Sequence, residues 1–303
     1  MSKTPTLEEI VQAVERLALV KRRKAPQGRK PKYSDNFIVA LAVYQKLASF
    51  RYSQKMLEVA ASFGVDVPVA STFCERKQAL LGQIILAVKR LCAEQVATKQ
   101  HLDSKKLEVV DFSRARQTKL AGAYGHDHIH NATFFGFRLH ARVDDAGKLC
   151  EVLLRGANEH DVRVAPRLLD TLTYTIVTAD KGYISKDLKA EVAPQAVDLV
   201  TPRKSNQLPP PKREQNLYQG HRIVESTFSS LDRLGLSEKS YLSTVGCVLH
   251  VYTTLLAYQL SRSGVFELWL CLSRIGVFWF SLIAHCFLKL TAPAPSRTRF
   301  TNS

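Results

Sequence analysis

Acidic residues are the scarce group in this sequence. Its 27 Asp and Glu stand against 43 Lys and Arg, a formal net charge of +16 in 303 residues. A deficit of that size suits a polyanionic partner, of which nucleic acid is the usual one; a soluble protein that happens to be basic is the plainer alternative. Cysteine pairs are also missing. Cys74, Cys92, Cys150, Cys247, Cys271 and Cys286 are scattered, with no Cys-x-x-Cys. They read as reduced cytosolic thiols, with neither the pattern of a disulfide frame nor that of a cysteine zinc site. No secretory signal opens the chain, whose first residues are polar and whose first apolar segment is amphipathic. An uninterrupted apolar run is lacking as well. Val265 to Leu290 is rich in Leu, Phe, Trp and Ile, yet Glu267, Arg274 and His285 break it, and a spanning helix needs roughly 18 or more mostly apolar residues. A packed or poorly ordered extension is the first reading of this tail and a membrane segment the second. A shifted reading frame would give the same composition.

What is present divides into a helical part and a part with strand periodicity. Thr6 and Glu9 form a capping box ahead of Leu7, Ile10, Val11, Val14 and Leu17 at helical spacing. Lys21, Arg22, Arg23, Lys24, Arg29, Lys30 and Lys32 follow with no acid among them, and Pro26, Gly28 and Pro31 keep that segment irregular. Such an arm can lie along phosphates and release counterions; a solvated linker is the alternative. A second helix starts at Ser34. A short one from Ser53 is stopped by Gly64, and Thr72 with Glu75 caps a longer one whose core face is Leu80, Leu81, Ile84, Ile85 and Val88. Helix, glycine turn and capped helix is the layout of a helix-turn-helix reader, which would turn Thr72, Glu75, Arg76 and Lys77 towards DNA. Any helical bundle produces the same pattern, and the neighbouring arm favours the DNA reading.

From Leu107 the period changes. Leu107 to Val110 is a short apolar run ending at Asp111. Phe135, Phe137, Leu139, Ala141 and Val143 alternate with polar or small residues, and Asp145-Ala-Gly147 turns that strand into Leu149 to Leu154. Ile176 and Val177 lead to Asp180 and a Lys-Gly break. Lys186 to Val192 reads as a helix, and Val197 to Thr201 as a short strand. Pro209 to Pro211 lie in a basic loop between Arg203, Lys204, Lys212 and Arg213. Ile223, Val224, Phe228 and Leu231 place Glu225 near the start of a helix, and Val245 to Leu260 is another.

Asp111, Asp180 and Glu225 thus follow one another on strand, strand and helix. In that order, with Phe134-Phe-Gly-Phe-Arg-Leu-His140, Gly156-Ala-Asn-Glu-His-Asp161, Ala179-Asp-Lys-Gly-Tyr183 and Arg222-Ile-Val-Glu-Ser-Thr-Phe228, the chain resembles the DDE transposases of bacterial insertion sequences over about residues 30 to 260. The resemblance implies an α/β fold: an RNase H-like mixed sheet flanked by helices, preceded by an all-helical, helix-turn-helix-like N-terminal domain. The expected parts are residues 1–100 with the basic arm 21–32, a catalytic domain 101–262 and an extension 263–303. The implied activity is cleavage at transposon ends and transfer of the 3′-hydroxyl to target DNA. Asp111, Asp180 and Glu225 are the implied catalytic residues and ligands of two Mg²⁺ ions, for which Mn²⁺ can substitute; hard carboxylate oxygens suit such ions.

The implied partners are double-stranded DNA and a second copy of the chain, and the implied place is the bacterial cytoplasm. Lys181, Arg203, Lys204 and Arg222 join the DNA contacts. His160 and Asp161 brace the site or a turn. His126, His128 and His130, interleaved with Asp127, resemble a metal string, but zinc is disfavoured there because no cysteine lies near and alternating histidines also suit a polar loop. Asp111 departs from the pattern because Phe follows it, where a small residue is usual. Asp103 is its rival, disfavoured because no strand pattern precedes it and Lys105 and Lys106 follow. The alternatives to a transposase are a catalytically inactive DNA-binding descendant and a tail-anchored membrane protein.

Overall fold

The structure is a computed structural model that describes residues 4–20, 31–127, 130–203, 212, 217, 220–239 and 243–264. The arm residues Lys21, Arg22, Arg23, Lys24, Arg29 and Lys30, together with His128, Lys204, Pro209 to Pro211 and the tail from Val265, lie outside the described residues.

The helical part begins with α1 (Leu7–Arg16), α2 (Asp35–Leu47) and α3 (Ser53–Ser62). Local chemistry sets the first two starts. The Thr6 hydroxyl accepts from Glu9 N while the Glu9 carboxylate accepts from Thr6 N at 2.6 Å, and Ser34 Oγ accepts from Phe37 N at 3.1 Å. The helix expected from Thr72 is instead two, α4 (Ala70–Ala79) and α5 (Leu81–Ala93), broken at Leu80, and Val69 holds the N-cap position of the first with no side-chain cap. Arg76 and Lys77 also turn inward. Arg76 donates to the Tyr33 carbonyl and to Asp35, each at 2.6 Å, while Lys77 sits over the Phe73 ring and donates to Gln45. Burial lowers the Lys77 pKa. These two side chains hold helices together rather than standing out towards a groove.

The sheet follows: β1 (Lys99–Glu108), β2 (Ala123–Asp127), β3 (Ala132–Asp144), β4 (Leu149–Gly156), β5 (Ile176–Ala179) and β6 (Asp198–Val200). Between them lie α6 (Asp161–Leu169) and α7 (Lys186–Val192), and after them α8 (Arg222–Arg233) and α9 (Thr244–Arg262). β1 runs antiparallel to β3 and parallel to β5, which pairs parallel with β6. The other edge of β3 takes β2 along its first residues and β4 along the rest. The order β4-β3-β1-β5-β6, with β3 antiparallel and β2 on the same edge of β3 as β4, is a mixed sheet of the kind expected of an RNase H-like fold. Asp144 closes the β3–β4 hairpin by accepting from Ala146 N and Lys148 N.

Helices cover both faces. Leu102 of β1 packs with Val164, Leu168 and Leu188 from α6 and α7. On the opposite face Leu139, Ala141 and Val152 join Val224, Leu231 and Leu255 of α8 and α9, and the same cluster continues through Ile38, Phe73, Ile84 and Leu91 of the N-terminal helices. Gln259 of α9 ties the two parts, exchanging hydrogen bonds with the Leu149 backbone and donating to the Leu91 carbonyl. Residue 100 is therefore no boundary of the core.

Candidate active site

Pleating sends alternate β1 side chains to opposite faces. Leu102 and Ser104 face α6, while His101, Asp103 and Lys105 face α8. The register continues the pairing of Leu102 with Ala179, so Asp103 stands beside Asp180, the residue just past β5. The α8 helix lies across β1, with Lys105 paired to Asp232 at 2.7 Å and Glu225 in its first turn. Gly220 permits that approach: a Cβ there would stand 2.5 Å from His101 Cε1. The ring cannot give way, because Thr178 Oγ1 at 2.6 Å and Asp145 Oδ1 at 2.8 Å hold its two nitrogens.

The electrostatics report the same convergence. Burial, then the negative charges of Asp180, Asp161 and Glu225, raise the Asp103 carboxyl to about 7, against the pull of its bond from Ser104 N. Its side chain is 22% exposed, and His221, the residue before α8, comes within 3.9 Å of it. Burial lowers the His221 pKa, opposed by Asp180 and Glu225.

Asp111 is not brought to this place. β1 ends at Glu108, and Asp111 precedes a short 3₁₀ turn, 68% exposed and 3.5 Å from Lys239, which also binds Glu108. Contrary to the expected grouping, the structure does not bring Asp111 beside Asp180; the β1 acid beside Asp180 is Asp103. Asp103 is followed directly by the small residue Ser104, the sequence feature that favours it over Asp111.

Behind the site, Asp161 accepts from Ser104 Oγ at 2.9 Å and lies 3.6 Å from His140 Nδ1. Gly182 passes so close that a Cβ would meet Asp161 Oδ2 at 2.8 Å. Burial lowers His140 to about 4, and burial, then Asp161 and Asp103, push Tyr183 well above the usual phenol value. His160 holds the N-cap position of α6 with an exposed side chain that makes no capping hydrogen bond. Lys181 and Arg222 are exposed beside Asp180 and Glu225, Arg203 is half-buried, and Thr72 is half-buried on α4. In the histidine string, Asp127 is committed to Lys106 and His130.

Residues 93–242 match the family described as "Transposase DDE domain". This part of the chain belongs to the DDE transposase family. A solved structure, the cryo-EM synaptic complex of piggyBac transposase with hairpin DNA, superposes with a TM-score of 0.49 at 10% identity, covering 86% of this chain and 72% of that one. No curated protein matches the chain. Among the described residues no helix is long and apolar enough to cross a membrane, and no three His, Cys, Asp or Glu side chains are grouped closely enough to hold one metal ion.

Proposed function

We propose that this DDE transposase cuts the ends of its insertion sequence and joins the 3′-hydroxyl to target DNA, with Asp103, Asp180 and Glu225 as its catalytic carboxylates. The observation that carries the reading is geometric: Asp103 stands beside Asp180 at the β1–β5 pairing, and the helix laid across β1 carries Glu225 in its first turn. Burial first, and then the charges of Asp180, Asp161 and Glu225, raise the proton affinity of the Asp103 carboxyl. Such a cluster gains from a cation. The donors are hard oxygens of the kind Mg²⁺ or Mn²⁺ prefers, and their side chains would have to draw together around the ion. When bound, divalent ions supply a lowered pKa for the attacking water or hydroxyl and charge stabilisation for the leaving oxygen.

The chain's own residues supply position. Asp103 is fixed within the paired strand β1 and Asp180 directly after β5, Glu225 by the close seating of α8, and Asp161 by Ser104. Lys181 and Arg222, exposed on either side, hold the phosphates flanking the scissile one. Two ends must be brought together, so the working form is a homodimer on double-stranded DNA in the cytoplasm.

The test is Mg²⁺-dependent nicking of DNA carrying the element's own inverted repeats. Asp103→Ala, Asp180→Ala and Glu225→Ala should each lose about a thousandfold or more in cleavage and keep their DNA affinity, whereas Asp111→Ala should cut. A cutting Asp103→Ala beside an inert Asp111→Ala would sink the assignment.

A further inference from the structure

Two exposed rings stand where the carboxylate chemistry has no use for them. Phe112, in the turn after β1, is 55% exposed, and Tyr124 of β2 is 47% exposed. Their centroids lie 6.1 Å apart at 75°, and Tyr124 meets Phe135 at 5.1 Å and 63°. Register explains the second contact, since Tyr124 is directly opposite Phe135 on β3. Phe135 is itself buried with Val109, Ala115 and Cys247 of α9. The connecting loop is tied at both ends, Asp111 to Lys239 and Ala121 N to Thr244 Oγ1 at 2.8 Å. The outer rings are therefore supported from beneath and lose little freedom when something binds.

Arg114, Arg116 and Lys119 lie between the rings in sequence, all exposed. Rings for the bases and cations for the backbone are the combination by which proteins hold unpaired strands. A closed duplex shows no base face along its length, so such rings discriminate between the two forms of DNA.

We propose that Phe112 and Tyr124 are a stacking platform for unpaired bases of single-stranded DNA, with Arg114, Arg116 and Lys119 holding its phosphates. The inference rests on the DNA reading above and adds a substrate feature to it. β1 carries Asp103 in its middle and delivers the platform from its end, Glu108 lying about 17 Å further along the strand. A strand end freed by nicking has its bases open to such rings.

The test uses the full chain without divalent ions, and fluorescence anisotropy with a labelled oligothymidylate of about twelve nucleotides and with a blunt duplex. Phe112→Ala and Tyr124→Ala should each weaken oligothymidylate binding by about fivefold or more and change duplex binding less than about twofold. Tyr124→Phe should bind as the parent does, because a face and not a hydroxyl is used. The combined Arg114→Ala, Arg116→Ala, Lys119→Ala variant should weaken both and flatten their salt dependence. Phe112 is at the surface, so its removal leaves the core intact, and thermal unfolding checks Tyr124→Ala. Both ring variants binding oligothymidylate like the parent, or losing the two DNA forms equally, would overturn the platform. If the parent nicks repeat DNA under the first result, only the platform fails; if it binds neither DNA, the DNA reading fails with it.

Discussion

Burial separates Asp103 from Asp111 and gives them different chemistry. One is 22% exposed among like charges, and the other is 68% exposed against Lys239. A ligand that binds only the folded chain raises its unfolding temperature, so Mg²⁺ should stabilise the parent and Asp111→Asn alike. Asp103→Asn and Glu225→Gln should lose most of that shift in differential scanning fluorimetry with and without the ion. An Mg²⁺ response abolished by Asp111→Asn and kept by Asp103→Asn would contradict the assignment. His250 carries a second residue-scale prediction. Its Nε2–H donates to the Gly235 carbonyl at 2.8 Å, and its Nδ1 accepts from Lys46 at 2.9 Å. Burial, then the Lys46 charge, lowers its pKa from 6.5 to about 4. The unfolded chain therefore takes up this proton first as pH falls. The stability tied to neutral His250 is complete above about 6.5 and is lost progressively towards 4. Unfolding temperatures measured across that window should fall less steeply in His250→Gln; the remaining slope includes His140, which burial also lowers to about 4. Equal slopes would mean that His250 does not control the acid limb.

At the scale of elements, legibility followed where hydrophobicity alone satisfied the strand. β3 alternates cleanly, β5 opens on Ile176 and Val177, α7 has the bounds its periodicity gives, and Asp180 with Glu225 could be placed from them. β1 could not be read correctly because its start is buried yet polar: Gln100 accepts from Arg142, and His101 bonds Thr178 and Asp145. These partners are distant in sequence, so the apolar run visible at Leu107 to Val110 looked like the whole strand and drew the first acid to its end. The α4–α5 break was hidden for a related reason. Arg76 and Lys77 look like solvent-facing cations until Tyr33, Asp35 and Gln45 are known to meet them. The seating of α8 is a further property that only the assembled elements reveal, and it yields a prediction. Gly220→Ala forces a methyl group against the pinned His101 ring, and overpacking of this kind costs about 1–3 kcal/mol. The helix must lift, taking Glu225 with it. Nicking should drop by about a hundredfold or more while thermal stability falls only modestly; unchanged cleavage would show that α8 seats Glu225 without this contact.

Over the whole molecule, the basic balance and the single hydrophobic core pull in different directions. A surplus of 16 positive charges repels itself in any compact form and calls for substantial apolar burial to offset it. That burial is not divided at residue 100. Ile38, Phe73, Ile84 and Leu91 from the N-terminal helices share one cluster with Leu139, Val152, Leu231 and Leu255, and Gln259 bonds Leu91 and Leu149 together. Removing residues 1–98 would strip α2 and α5 from α9 and β4, exposing the inner faces of Leu255, Leu256 and Leu149, which are fully buried in the intact chain. A fragment of residues 99–264 is thus expected to be insoluble or to lack a cooperative transition. The full chain, in turn, should unfold in one step with coincident far-ultraviolet dichroism and calorimetric midpoints. The two experiments are independent. A soluble fragment with a sharp transition of its own would show that the helical part docks onto a domain already stable alone, and two resolved calorimetric peaks in the full chain would show the same. With neither, the helices that looked like a separable DNA reader are part of the wall against which the carboxylate-bearing helix and sheet are held.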